Sequence, residues 1–517
     1  MKPQPIALFA AAAIIILFAT ALAFAATANS PASQDIAVPS SLNDGTMPAL
    51  SAIAGQGLMN DHAYEYLEEL SDDIGGRLTG SPQCNAAIQW GLAKMRAIGL
   101  QNVHAEPYQI SRGWTRISAS AEVVSPAPHK LMIDAMGWVG STPQGGITAE
   151  VVPVNAFQLD QELAQNSDNW NGKILLAVQK GAPSASPLAV FAKFGLFLNK
   201  AHDAGAVAVI GGQGGDKSQG MHLTHTGALG FDTSYEIPVV SISAEDQDIL
   251  ERFIDRGKTV RVHIDVQNRF TSGPADTANV VGEIPGTEHP EQIIVVGGHL
   301  DSWDLSEGST DDGTGATTTL GAAEAIVRSG FKPRRTIRFV LFTGEEQGLL
   351  GSLSYVKTHK DEMQNHVAAI ILDNGQGPVT ALNMARPDLV APVEPFIATL
   401  GAFGKITAND ETEFGADSGP FILQGLPGIN LAQNSPEYRY THHSNVDTFD
   451  KVDRAVLERD ATVQALVAFW IAARPERLAS PWPPEKTAQF LVSTHDDEFL
   501  KLFNLWPFGT LGEKPQQ

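Results

Sequence analysis

The sequence predicts an α/β chain: a mostly parallel, mixed sheet sandwiched by helices, with an α+β segment inserted into it. Strand and helix alternate from about residue 277: TANVVGEI, IIVVGG, then the helix GATTTLGAAEAIVR (315–328), TIRFVLF, the helix GLLGSLSYVKTH and AAIILD. Alternation of this kind specifies parallel strands with helices on both faces. Residues 116–270 have a different texture, short strands separated by turns. Of the 517 residues 43% are hydrophobic and 18% charged, so most of the chain is expected to fold, and its length suggests two to four domains.

From the N-terminus, Lys2 precedes an apolar run from Ile6 to Phe24, followed by Ala25-Ala-Thr-Ala28. That charged, apolar, small-residue order reads as a signal peptide over 1–28. It predicts a secreted or periplasmic protein with no stable membrane insertion after cleavage; an uncleaved anchor is the competing reading. Residues 29–48 read as a polar linker rich in proline and serine. Helical spacing returns over 59–70 and 82–98, where Ile88, Leu92, Met95 and Ile98 share a face and Gly99 stops the helix. Between these helices, 71–80 reads as a glycine-rich loop. Within the insertion the strands are 147–154, 173–178, 206–212, 237–243 and 259–266, with helices over 190–204 and 244–257. The helix 452–471 closes the main domain, taken as 49–115 plus 271–478, and residues 479–517 form a proline-rich, then aromatic extension.

The formal net charge of −23 argues against nucleic acid as a partner. Cys84 is the only cysteine, which excludes an intrachain disulfide and a thiolate metal cage. Any metal must be held by His, Asp and Glu.

Those residue types gather where apolar strands stop. IIVVGG ends at His299-Leu-Asp301, TIRFVLF at Thr343-Gly-Glu345-Glu346, and AAIIL at Asp373; Asp311-Asp312-Gly-Thr-Gly and Thr441-His442-His443-Ser444 lie between and beyond. Ligands in parallel sheets bind outside the carboxyl ends of the strands. Each motif also has a bland reading: a satisfied strand-end histidine, a turn capping a helix, an acidic first turn, a surface histidine pair. Residues two apart on extended chain face the same way, so the Asp301 carboxylate is expected to orient the His299 ring. His222 and His225 lack acidic neighbours and read as surface or structural. Jointly, and in this order, the motifs point to a two-metal hydrolase.

The string GGHLDSWD, GSTDDGTG, FTGEEQGLLGS, LDNG and HHSNVDT resembles the co-catalytic zinc exopeptidases, particularly their carboxypeptidase Q-like branch. The likeness runs over roughly 50–475, including the Gly76–Ser81 loop and an inserted segment similar to a protease-associated domain. The resemblance implies two Zn2+ per chain, with metal ligands His299, Asp311 (bridging, in preference to Asp312), Glu346, Asp373 and His443. It makes Glu345 the general base and Asp301 a catalytic partner of His299. Some relatives carry tyrosine before the last ligand, where this chain has His442, leaving His442 as a candidate oxyanion stabiliser.

The substrate implied is a dipeptide or short peptide. An aminopeptidase is the runner-up, and a glutaminyl cyclase-like transferase or a non-catalytic binding protein on the same scaffold are readings from other classes. Arg386 or Arg439 could anchor a free carboxylate and the acids of 410–413 a free ammonium, though all also read as solvated loop charge. The insertion is expected to cover the cleft, to pack, or to support a homodimer.

Overall fold

The computed structural model describes residues 46–60, 62–181, 187–212, 221–503 and 505–509. The expected signal peptide and residues 29–45 of the linker lie outside them. Residues 46–48 are not linker but open the helix Thr46–Asn60. Among the described residues no helix is long and apolar enough to cross a membrane.

The strands of the described residues form two eight-stranded sheets. The first runs, edge to edge, through Gln101–Ile110, Ala275–Ile284, Arg335–Phe342, His289–His299, His366–Ile371, Gly428–Gln433, Val379–Asn383 and Thr407–Asn409. Its three central pairs are parallel, the pairs next to them antiparallel, and the edge pair Val379–Asn383 with Thr407–Asn409 parallel again, so the sheet is mixed. Side chains alternate between faces as the strand period of two requires. Ile294, Val296, Phe339 and Ile370 pack beneath the helices Thr46–Asn60, Pro82–Ile98, Thr314–Ser329 and Arg454–Ala473. Val295, Val340, Phe342 and Ile371 face the helices Leu350–Thr358 and Gly419–Leu423. Helix ends follow local chemistry. Ser81 accepts from the Cys84 amide and Gly99 takes a φ of 96° to end Pro82–Ile98. Asp453 accepts from Val456 N to open Arg454–Ala473.

The second sheet, His129–Leu131, Trp114–Ser125, Arg261–Phe270, Ile147–Asn155, Ile174–Val178, Ala208–Gly212, Val239–Ile242 and Ile133–Ala135, belongs to the inserted segment. The strand Trp114–Ser125, which sequence patterning passed over, pairs antiparallel with Arg261–Phe270, Trp114 opposite Phe270. Ile110 opposes Ala275 in the first sheet, so one two-stranded ribbon runs from sheet to sheet. Residues 71–74, expected as part of a loop, belong to the π-helical turn Glu69–Ile74 that precedes the loop proper. The C-terminal extension forms helices Pro484–Ser493 and Asp496–Leu502, whose apolar residues pack on Ala385, Phe414 and Ile422.

Candidate active site

His299 is the last residue of its strand and stands in register with Phe342, two residues before Gly344-Glu345; Gly297 pairs with Ile371, two residues before Asp373. Three strand ends therefore bring His299, Glu345, Glu346 and Asp373 to one level. The His299 Nδ1–H donates to the Asp301 carbonyl oxygen at 2.9 Å, which directs the basic Nε2 inward. That bond comes from the carbonyl, not from the carboxylate expected from the two-residue spacing, which stands 3.6 Å away. The Asp301 carboxylate instead accepts from the Thr79 hydroxyl at 2.5 Å and from Glu345 N at 3.4 Å.

The paired aspartates divide their work. Asp312 accepts from Gly315 N at 2.7 Å and from His299 N at 3.1 Å, tying the helix Thr314–Ser329 to the strand end. The Asp311 carboxylate faces the histidines, 3.2 Å from His299 Nε2, 3.3 Å from His443 Nε2 and 3.8 Å from His442 Nε2. Asp373 lies 3.6 Å from His299 Nε2, and Glu346 lies 2.9 Å from His443 Nε2. The five residues expected as ligands and Glu345 thus share one pocket.

His443 sits at a φ of 56°, a left-handed conformation costly for a residue with a Cβ. Its carbonyl accepts from Thr226 N at 2.8 Å, and the His442 carbonyl is 2.9 Å from His225 Nδ1. Both partners come from the inserted segment. Of the two readings that its neighbours in sequence allowed, surface or structural, His225 is therefore the structural one, a buried support for the histidine loop. Arg77 is another residue sequence reasoning missed. Fully buried, it donates to the carbonyls of Gly75, Leu300, Glu307 and Gly308, fastening the loop on either side of Asp301. Its only sequence signal was a glycine-rich loop.

The residues fit a bound cation. His299 Nε2, Asp311 Oδ2 and both Glu346 oxygens are closed to solvent and none has a hydrogen-bond partner. Buried charges without partners are costly. Ligand atoms of His299, Asp311 and Asp373 lie within 4.8 Å of one another, as do those of Asp311, His442 and His443, so Asp311 belongs to both groups. Without a cation, burial and the Asp373, Glu346 and Asp417 carboxylates push Glu345 far above the ordinary glutamate range, against the pull of His299. Burial and Asp311 do the same to Glu346. Asp311 is held below its ordinary range despite its burial, by His299 and His443. Burial and the neighbouring His443 bring His442 down to about 3, so that ring is neutral. Cys84 is buried, and burial together with the Asp301 carboxylate pushes it up to about 12, so it is no nucleophile.

Of the two arginines considered as anchors, Arg386 is committed elsewhere. Arg386 is buried, paired with Asp388 and bonded to the carbonyls of Gly425 and Ser480; Arg439 bonds the Tyr440 hydroxyl.

Such a strand-end crevice, with shared acids and histidines, is suited to metal-dependent hydrolysis, and the peptidases this chain resembles make the class a metallo-exopeptidase. The profile described as "Peptidase family M28" matches residues 279–468. Mouse carboxypeptidase Q is 32% identical over 431 residues, covering 83% of this chain and 90% of that protein. The peptidase M28 precursor of Shewanella amazonensis shares the fold with a TM-score of 0.75 at 29% identity, over 84% of this chain and 99% of that one. An aminopeptidase from Aneurinibacillus sp. strain AM-1 has a TM-score of 0.62 at 23% identity, over 84% of this chain and 98% of its own. The chain belongs to peptidase family M28.

Proposed function

We propose that the chain is a zinc-dependent exopeptidase hydrolysing dipeptides or short peptides, of the carboxypeptidase Q kind. The observation that carries this reading is the buried donor cluster in which Asp311 belongs to two ligand groups at once. His299 and Asp373 would hold one zinc and Asp311 both, while Glu346, 2.9 Å from His443 Nε2, would join His443 on the other in place of His442. When bound, the two ions supply a polarised substrate carbonyl and an acidified water. Glu345 takes the proton from the attacking water and passes it to the leaving amine. Asp301 acts on two sides: its carbonyl fixes the His299 tautomer and its carboxylate holds the Glu345 amide. His442, neutral and stacked 3.9 Å from His443, would donate to the oxyanion. The inserted protease-associated-like segment, through Thr226 and His225, supports the histidine loop. The signal-like N-terminus supports action outside the cytoplasm, and a homodimer through the insertion belongs to the same reading.

A second reading, an aminopeptidase, is favoured by Glu413 and Asp417. Burial brings each up to about 7 and both sense Asp373. Asp417 is buried, so the partly exposed Glu413, which accepts from Asn374 next to Asp373 at 2.6 Å, is the one that would suit a free α-ammonium better than a free carboxylate. Product analysis on free, N-acetylated and C-amidated dipeptides and tripeptides separates the two: loss of cleavage on acetylation marks the amino end as the anchor, loss on amidation the carboxyl end. Glutaminyl cyclisation predicts loss of ammonia from an N-terminal glutamine peptide, seen by mass spectrometry. For the base, Glu345→Gln is expected to keep both metals and lose about 10²–10⁴-fold in kcat. Near wild-type turnover in that variant would sink the assignment.

A further inference from the structure

The turn carrying Glu345 and Glu346 is gripped from outside by two chain segments distant in sequence. Within the turn, Gly348 N and Leu349 N donate to the Glu345 carbonyl at 2.8 and 3.0 Å. Gly348 stands at a φ of 109°, and a Cβ there would come within 2.2 Å of the Phe231 ring. The next residue, Asp232, donates its amide to the Gln347 carbonyl at 3.0 Å. Phe231 belongs to the inserted segment, and its outer faces are covered by the C-terminal extension. Phe503 stacks on it at 4.5 Å and 28°, and Phe499 meets it edge-on at 5.6 Å and 73°. The helix bearing Phe499 is itself seated on the first domain, its Leu500 and the Leu491 of the preceding helix packing with Phe414 and Ile422. Thr412 donates to Asp496 at the start of that helix.

We propose that the C-terminal extension is a positioning clasp: Phe499 and Phe503 press Phe231 onto the Glu345–Gly348 turn and so fix where the Glu345 carboxylate stands. None of the three rings is a catalytic residue; they act through the turn. Opposite them, Tyr108 donates its hydroxyl to the Thr343 carbonyl at 2.5 Å, so the turn is held between two supports. Only the Phe231 support depends on the tail. Displacement of a reacting group by about 1 Å can cost on the order of 10²-fold in rate, so a partial loosening predicts a smaller loss.

The proposal rests on Glu345 as the base, and its test separates the two. In the full-length, zinc-loaded enzyme, Phe503→Ala is expected to lower kcat on a dipeptide about 10-fold with KM and zinc content unchanged. Hydrogen exchange at the amides of 347–350 should quicken about 10-fold, and Phe503→Tyr should restore both. Wild-type kcat with wild-type exchange overturns the clasp, and so does a fall in kcat with exchange unchanged. If Phe503→Ala fails to fold, Phe231→Leu is read by the same two measurements. Should Glu345→Gln retain turnover, the base assignment falls, while the exchange result still reports whether the tail holds the turn.

Discussion

Asp447 makes no contact with substrate in the proposed reaction, yet both of its oxygens are engaged: Thr310 N at 2.6 Å and Asp311 N at 3.1 Å. It holds the backbone from which the Asp311 carboxylate projects, and burial with Asp311 nearby raises its own carboxyl to about 7. An amide at this position turns one acceptor into a donor facing an N–H. Asp447→Asn is therefore expected to weaken zinc binding by roughly 10–100-fold with the circular dichroism unchanged, as measured by competition with a chelating dye. Unaltered affinity would remove Asp447 from the support of the site. In the sequence Asp447 was visible only as a spacing mark after the last histidine. The choice between Asp311 and Asp312 was equally invisible to residue type and came from the family resemblance. Its physical basis is that both Asp312 oxygens are engaged by backbone amides. His225 was illegible for a related reason: its partner is a carbonyl 217 residues away, and carbonyls leave no trace in composition.

At the scale of elements, the join between the helix Thr314–Ser329 and the neighbouring strands leaves no room for a side chain. A Cβ on Gly315 would lie 2.1 Å from Asp312 Oδ2 and 2.2 Å from the Leu372 carbonyl, and that backbone oxygen cannot step aside as a side chain can. Gly315→Ala is expected to destabilise by about 1–3 kcal/mol through overpacking, read from thermal unfolding of the metal-free chain. A melting temperature equal to wild type would refute this. The central strands were legible because they are buried on both faces and read as unbroken apolar runs. The strand Gln101–Ile110 was not, since it lies at the sheet edge, is half exposed and contains Pro107. The helix Pro387–Ile397 was hidden by Pro392 and Pro395, which argue against a helix by local propensity alone.

For the molecule as a whole, the buried acids make the metal a structural partner as well as a catalytic one. Asp311, Glu345, Glu346 and Asp373 are drawn together with too few imidazoles to balance them, and cations bound only by the folded chain stabilise it by mass action. Free zinc at a thousand times its dissociation constant contributes about 4 kcal/mol per site. Chelation should lower the melting temperature by several degrees and zinc should restore it; a melting curve indifferent to chelator would contradict the buried cluster. Architecture was legible at this scale as two textures, one alternating and one of short strands. That the second reaches back to hold His443 was not, because such contacts join residues hundreds of positions apart.

The ribbon that joins the two sheets also sets an order of events on the ribosome. Gln101–Ile110 pairs with Ala275–Ile284 and lies at the edge of its sheet, so it has no other strand to pair with. Synthesis at roughly 5–20 residues per second separates the emergence of these two strands by about 8 to 30 s. Throughout that interval the first strand waits with its backbone groups open, while Trp114–Ser125 and Arg261–Phe270 complete the second sheet ahead of it. The sheet bearing the acids and histidines is thus the last to close, and its early edge stays exposed to wrong partners the longest.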